Sequence, residues 1–379
     1  MNYISLLLAL VIAVITVVEH FMGTPFVLQY CYGSWWFIAL WGVVALGGCW
    51  SMYKHRMWRR PAVFCLHISF PVILAGAFTT HLTSHRGFIP LREGEATRFY
   101  LQKGQEEGIL DMKPMPFYLA LDSFRIQYDA DGQTPKDYLS YVQLSDNDSI
   151  LKTTISMNNI ARTHGYRIYQ TSYDEDLHGS LFTVSYDPWG TALTYLGYFL
   201  LAVSMVWCGI KPSRPSKKAF ADGQDVRKKG RLGSTVLWLV AILLSSYMVI
   251  AIAFRPLVPV LRSPMLVIHV SVIMVAYILL IVSIFRRSLL RYAVFFLAAG
   301  IFLGAMWANI SWGSYWSWDP KESWALVTLL VYSLPLHSAS IPWFRSDRHY
   351  RLYCILCLLC LLMTYFGVNY LLGGMHSYA

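Results

Sequence analysis

Ala293-Val-Phe-Phe-Leu-Ala-Ala-Gly-Ile-Phe-Leu-Gly304 is the centre of an apolar run over residues 290–308. A helix needs about 20 such residues to cross a bilayer. Similar runs recur along the 379 residues, of which 56% are hydrophobic and 14% charged. The composition predicts a polytopic α-helical membrane protein with about nine transmembrane helices. We expect the spans at about residues 2–20, 34–52, 61–81, 190–210, 234–254, 264–285, 290–308, 323–343 and 351–372.

Lysine and arginine are distributed unevenly between the two sides of this predicted topology. If the nine spans alternate, eighteen basic residues fall on one side, whereas the short loops opposite hold only Arg255, Arg262 and Lys321. Because cytoplasmic loops are enriched in lysine and arginine, the N-terminus is expected in the cytoplasm and the C-terminus outside. These loops also explain the formal net charge of +10, so nucleic acid binding is not indicated.

One sizeable polar region interrupts the spans, and the topology places it outside the membrane. Short β-branched or alternating runs at residues 124–128, 138–144 and 166–173 are separated by turn residues, which predicts a small β-rich extracytoplasmic domain. We therefore expect four parts. They are N-terminal transmembrane helices (1–82), the β-rich domain (83–189), a fourth span with a cytoplasmic linker (190–232), and a C-terminal membrane domain (233–379).

A tryptophan-rich segment lies between the seventh and eighth predicted spans. Trp312-Gly-Ser-Tyr-Trp-Ser-Trp-Asp-Pro-Lys-Glu-Ser-Trp324 is called the tryptophan loop below, and it carries indoles at Trp312, Trp316, Trp318 and Trp324. Tryptophan also collects at lipid headgroups in any membrane protein. A glycine-spaced cluster ending in acidic residues is not typical of such a belt, and we expect a flat aromatic surface for a large planar ligand.

The histidines divide by their predicted depth in the membrane. His67 and His337 are each expected roughly 10 to 12 Å inside the cytoplasmic face, whereas His269 and His376 are expected near the external face, beside the tryptophan loop. Two histidines at each of two depths are what two haem sites with paired axial imidazoles require. Each histidine could instead bond a backbone carbonyl, and His81 and His85 compete with the outer pair on topology.

Several segments then support a family resemblance. The tryptophan loop resembles the WWD signature of the haem-handling superfamily, and Ser263–Ser271, Leu329–His337 and Phe366–Tyr378 are similar to its histidine-bearing segments. Gly165–Asp174 and Asp187-Pro-Trp-Gly190 resemble the extracytoplasmic domain of the partner subunit. The chain as a whole resembles a fused System II cytochrome c synthase, although its outer domain is much shorter than in the large fused members.

The resemblance implies a function as a holocytochrome c synthase in the bacterial plasma membrane. Ferrous haem b would bind first between His67 and His337 and then at an outer site, where His269 and His376 supply the axial ligands. Trp312, Trp316, Trp318, Asp319 and Trp324 would hold the porphyrin, with His269, His376, Trp318 and Asp319 taking part in catalysis. The substrate partner would be the Cys-x-x-Cys-His segment of apocytochrome c, with thiol reductant proteins as further partners.

Three functions are compatible with these residues. The first is covalent haem attachment, the second is haem export to a separate ligase, and the third is quinol-linked electron transfer through b-type haems. The electron-transfer alternative explains the histidine pairs but gives the tryptophan loop no role. For Asp319 and Glu322, three roles remain open: orienting the outer ligands, bonding to backbone, or acting on haem propionates through Lys321.

Overall fold

The computed structural model describes residues 2–103, 109–146, 149–210 and 263–372. The predicted cytoplasmic linker, the predicted span at 234–254 and His376 lie outside these described residues.

Helices make up most of the described chain, and most of them are long and apolar. They are α1 (Asn2–Met22), the single turn α2 (Thr24–Val27), α3 (Trp35–Lys54), α4 (Pro61–Thr83), α5 (Pro188–Ile210), α6 (Pro264–Ser283), α7 (Leu290–Trp312), α8 (Pro320–Ser333) and α9 (Asp347–Leu362), which continues as a π-helix over Met363–Leu372. Seven helical segments in the described residues are long and apolar enough to cross a membrane. The chain is therefore a polytopic membrane protein.

The predicted count of nine spans is not confirmed. One of the nine lies outside the described residues, and the span expected at 323–343 is replaced by α8, which has only 14 residues. Beyond Ser333 the chain continues as a 3-10 turn, Leu334–His337, which contains Pro335. Proline has no N–H to donate and clashes with the preceding turn, so the α-helix ends there.

Four of the long or site-bearing helices begin at a proline. Pro61, Pro188, Pro264 and Pro320 each occupy the first helical position. Proline suits this position because its missing N–H would have no partner in the first turn and its φ is already helical. The sequence thus marks the start of these helices more sharply than hydropathy does.

The polar region forms one antiparallel sheet of eight strands. The strands are β1 (His85–Arg92), β2 (Ala96–Lys103), β3 (Leu110–Tyr128), β4 (Pro135–Ser145), β5 (Ile150–Ile155), β6 (Ala161–Thr163), β7 (Tyr166–Tyr173) and β8 (Gly179–Tyr186). Their order is β5-β4-β3-β2-β1-β8-β7-β6. The sheet is curled, because Ser140 on β4 contacts Gln170 on β7 at 2.6 Å although five steps of the strand order separate these strands.

The strands that come first and last in the chain, β1 and β8, are neighbours in the middle of the sheet. β1 pairs with β8 along its whole length, beginning at His85 opposite Tyr186. Since β1 follows α4 and β8 precedes α5, the chain enters and leaves the sheet at a single place. Apolar side chains of both halves of the curled sheet, including Leu119, Ile168 and Phe182, form its buried core.

Small residues allow two pairs of membrane helices to approach closely. A Cβ at Gly76 or Gly197 would lie within 3.0 Å of atoms on the partner helix, so α4 and α5 touch almost backbone to backbone. The same holds for Gly300 on α7, which faces Ile273 on α6. Close approach through small residues is a common way for helices to associate in lipid, where burial of apolar surface gives no driving force.

Candidate functional site

The inner histidines, His67 and His337, lie side by side although 270 positions separate them in sequence. Their ring centroids are 6.1 Å apart and the rings are perpendicular, at 89°. His67 comes from α4, and His337 ends the 3-10 turn that follows α8. A metal–imidazole bond is about 2 Å long, so two imidazoles on opposite sides of one ion have ring centres roughly 6 Å apart. The spacing therefore fits a single metal ion between them.

Each inner imidazole also has a defined tautomer. His67 Nδ1 lies 2.8 Å from the Val63 carbonyl oxygen, and His337 Nδ1 lies 3.1 Å from that of Ser333. A carbonyl oxygen can only accept a hydrogen bond, so Nδ1 carries a proton in both rings and Nε2 is the nitrogen left for a metal ion. Metal-binding histidines usually make this kind of second bond, which orients the ring and makes it a better ligand.

The outer histidine that the structure describes, His269, is held in a narrow gap between α6 and α7. Its Nδ1 donates to the Gly300 carbonyl at 2.7 Å. A Cβ added at Gly304, one turn further along α7, would lie 2.6 Å from His269 Cε1. The absence of a side chain at Gly304 thus leaves room for the imidazole against α7. The predicted partner of His269, His376, lies outside the described residues.

The four indoles of the tryptophan loop do not form the single flat surface that the sequence suggests. Trp318 meets Trp316 at 81° and stacks on Tyr32 at 4.7 Å and 11°, and Trp312 meets Trp307 edge to face at 74°. Edge-to-face contacts are favoured by the charge distribution of aromatic rings. Trp316 and Trp318 are therefore perpendicular rather than coplanar, and Trp312 packs against a tryptophan of α7.

Trp318 has an unusual backbone conformation. Its φ is 59°, in the left-handed region that bulky residues rarely occupy. Besides Tyr32, the rings of Phe37 and Trp41 contact its indole at centroid distances of 5.0 and 6.3 Å. Aromatic residues of the N-terminal helices thus hold Trp318 in this conformation, which costs of order 1 to 3 kcal/mol.

Trp324 is held by the same N-terminal part of the chain. Its indole Nε1 donates to Thr16 Oγ1 on α1 at 2.9 Å. By contrast, the buried Trp316 Nε1 has no hydrogen-bond partner within the part of the chain that the structure describes. Helix α1 therefore packs along α8 and supports the loop from one side.

Asp319 and Glu322 both bond to backbone, one of the three roles left open by the sequence. Asp319, only 4% exposed, is the N-cap of α8, and its Oδ1 accepts from Lys321 N at 2.9 Å. Glu322 Oε2 accepts from Ser317 N at 2.8 Å. Together these bonds close the loop onto the first turn of α8.

The cap at Asp319 gives a first testable expectation. Asp319→Ala removes the acceptor for Lys321 N and is expected to lower the free energy of unfolding by about 1 kcal/mol, whereas Asp319→Asn keeps an equally good cap. Thermal unfolding of the detergent-purified protein would measure both. Equal unfolding temperatures for the two variants would contradict the capping role.

A polar cluster that sequence reasoning missed joins the sheet to the tryptophan loop. Arg167 on β7 donates to Asn309 Oδ1 at 2.9 Å, and Tyr169 on the same strand donates to the Asn309 carbonyl at 3.2 Å. Tyr315 donates to Asp187 Oδ2 at 3.1 Å. No sequence pattern predicts contacts between residues this far apart in the chain. The Asp-Pro pair at 187–188 indicates only that a helix starts there.

Two family models match the chain in separate segments. Residues 53–194 match the ResB-like family, and residues 283–376 match the cytochrome C assembly protein family. The first segment contains His67 and the whole sheet, and the second contains His337 and the tryptophan loop.

Similar proteins include Protein NrfI of Wolinella succinogenes, 38% identical over an alignment of 152 residues that covers 32% of this chain and 17% of that protein. Cytochrome c biogenesis protein CcsA of Chlamydomonas reinhardtii is 35% identical over 152 residues, 32% of this chain and 43% of that protein. The protein of the same name from Parasynechococcus marenigrum is 35% identical over 178 residues, with 58% of its length covered. The chain thus spans well under two thirds of the length of these relatives.

Proposed function

We propose that this chain, which the two matched segments indicate to be a fused System II cytochrome c synthase of the ResB–CcsA type, binds haem as its substrate and attaches it covalently to apocytochrome c. A role in cytochrome c biogenesis is supported by both family models and by the relatives. The attachment step itself is the proposal, and the geometry of the histidines supports it.

The observation that carries the proposal is the inner histidine pair. His67 lies in the ResB-like segment and His337 in the assembly segment, yet their rings are 6.1 Å apart. The two halves thus together form a site with two imidazoles. In each of them Nδ1 donates a hydrogen bond to a backbone carbonyl. This donor set suits an iron that takes one axial nitrogen from each side of a porphyrin. We assign it to haem b entering from the cytoplasmic side.

The outer site is assigned to His269, His376 and the tryptophan loop. Trp312, Trp316, Trp318, Trp324 and Asp319 would line the site for ferrous haem b there. Under this proposal the β-rich domain, the loop and the C-terminus lie on the extracytoplasmic side of the bacterial plasma membrane and the N-terminus in the cytoplasm, in agreement with the distribution of lysine and arginine.

Attachment at this site needs positioning more than acid or base catalysis. Each cysteine thiol of a Cys-x-x-Cys-His segment adds across one vinyl group, forming a carbon–sulfur bond while the thiol hydrogen passes to the neighbouring vinyl carbon. Atoms and electrons balance without an oxidant, although both thiols must be reduced, which explains a need for thiol reductant proteins. Holding thiol and vinyl in contact can supply most of the rate enhancement.

The test is co-expression of this chain with an apocytochrome c in a host that lacks its own maturation system. Haem that stays on the cytochrome after denaturation is the expected result. Haem bound to this chain without any covalent product would instead identify an exporter, and quinol-reducible haem without product would identify an electron-transfer protein. A Cys-to-Ala apocytochrome at both thiols is the matched control.

A further inference from the structure

The carboxylate of Asp187 is buried where the end of β8, the helices α4 and α5 and the tryptophan loop meet. Asp187 is the residue between β8 and α5 and is 5% exposed. Its Oδ1 accepts from Gly190 N at 3.0 Å, which is an ordinary helix cap. Its Oδ2 lies within hydrogen-bond distance of hydroxyls from α4 and α5, Thr80 at 2.8 Å and Thr191 at 2.9 Å.

The remaining partner of Asp187 Oδ2 comes from the other half of the chain. The Tyr315 hydroxyl, in the middle of the tryptophan loop, donates to Oδ2 at 3.1 Å and also contacts Thr80 Oγ1. Burial raises the pKa of the Tyr315 phenol, so it remains protonated and acts as a donor. A helix cap needs only Oδ1, so Oδ2 is available to all three hydroxyls, and through it the tryptophan loop is joined to α4 and α5.

The surrounding backbone leaves little freedom at this junction. A Cβ at Gly190 would lie 2.0 Å from Thr80 Oγ1, so α4 and α5 touch beside Asp187. At the other end of the contact, Gly313 has a φ of 77°, and a Cβ there would lie 2.6 Å from the Tyr169 ring. The start of the loop therefore packs directly against Tyr169 of β7.

A second contact fixes the point where α7 leads into the loop. Asn309 is 1% exposed. Its side-chain oxygen accepts a hydrogen bond from Arg167, and its backbone carbonyl accepts one from Tyr169. Arg167 also donates to Thr191 Oγ1 at 3.0 Å, beside Asp187. The sheet thus holds the last turn of α7 through Asn309, while Asp187, which follows β8, holds the middle of the tryptophan loop through Tyr315.

We infer that Asp187 is a positioning residue for haem attachment: through Tyr315 it sets where the tryptophan loop holds its ligand relative to the sheet. This inference rests on the proposed function. Asp187 itself does not belong to the haem ligands or to the loop. It acts by fixing Tyr315, three residues after Trp312 and three before Trp318.

Two conservative variants of the full chain separate this role from capping. Asp187→Asn keeps an acceptor for Gly190 N, since asparagine caps as well as aspartate, but it presents an amide N–H to Tyr315. Tyr315→Phe removes only the hydroxyl. Each variant is expected to reduce covalent attachment in the co-expression assay roughly tenfold to a hundredfold, the size of effect produced by a misplacement of about 1 Å.

The absorption maxima and the reduction potential of haem kept by the purified chain are the second measurement. Both are expected to shift in Asp187→Asn and in Tyr315→Phe, while the amount of protein in the membrane stays near wild type. The double variant is expected to lose no more than the worse single variant, because both changes remove the same contact. Asp122→Asn and Tyr141→Phe, exposed positions on the sheet, are the matched controls.

The possible results distinguish a failure of the positioning role from a failure of the proposed synthase function. Wild-type attachment and unchanged haem spectra in both variants, or additive losses in the double variant, would overturn the positioning role while leaving the synthase function intact. A wild-type chain that neither keeps nor attaches haem would overturn both. If Asp187→Asn does not accumulate in the membrane, Tyr315→Phe alone tests the positioning role, because it removes a single hydroxyl and leaves the rest of the side chain in place.

Discussion

His67→Ala and His337→Ala are each expected to abolish haem binding at the inner site and to reduce covalent attachment by more than about tenfold. Loss of even an outer partner of a metal ligand costs about 10 to 100-fold in affinity, so loss of the ligand itself should cost at least as much. The two ring centroids are 6.1 Å apart, and the rings come from different halves of the chain. Removing either one should therefore have nearly the same effect as removing both.

Haem content of the detergent-purified protein, measured after extraction, checks this expectation, and attachment is measured in parallel. The matched control is His55→Ala, an exposed histidine just after α3. We also expect less haem at the outer site in both inner variants, because haem is proposed to pass from one site to the other. Normal outer loading with an empty inner site would show that haem reaches the outer site by another route.

Gly304→Ala is expected to cause the second large loss, at the outer site only. The new methyl carbon would lie 2.6 Å from His269 Cε1 and 2.8 Å from Nδ1, closer than atoms can approach. The imidazole must therefore leave its position and lose the 2.7 Å bond to the Gly300 carbonyl. We expect attachment to fall by about 10 to 100-fold, the cost of losing a ligand's supporting bond, while the inner site keeps its haem.

The same substitution at Gly42 provides the control for this variant. Gly42 lies in α3, and a Cβ added there would meet nothing within 4 Å. Gly42→Ala should leave both haem content and attachment at wild-type values. If Gly304→Ala attached haem as efficiently as Gly42→Ala, the position of His269 in the gap between α6 and α7 would not matter for the reaction.

Much of the membrane architecture follows from local sequence. Apolar runs end near the helix ends that the structure gives, and prolines 61, 188, 264 and 320 mark helix starts because each suits a first turn. The runs predicted as strands lie within β3, β4 and β7. Depth counting from the flanking arginines placed His67 and His337 at one level, and in the structure their rings adjoin.

Other features depend on contacts that no local pattern encodes. The shortening of α8 could have been inferred from Pro335, but hydropathy alone extended the span to residue 343. The Gly300 and Gly304 spacing signals close helix packing, yet it does not say that His269 fills the gap. The contacts of Arg167 with Asn309 and of Asp187 with Tyr315 join residues more than 120 positions apart, and only the folded chain brings them together.

The pairing of β1 with β8 has a consequence for how this part of the molecule can vary. The chain leaves the membrane at α4 and returns at α5 across adjacent strands, which are separated by only about 5 Å. Residues inserted or removed around the distant strands β3 to β5 would change the size of the β-rich domain without altering how it is connected to α4 and α5. A compact version such as this one and a much enlarged one can therefore share the same transmembrane frame.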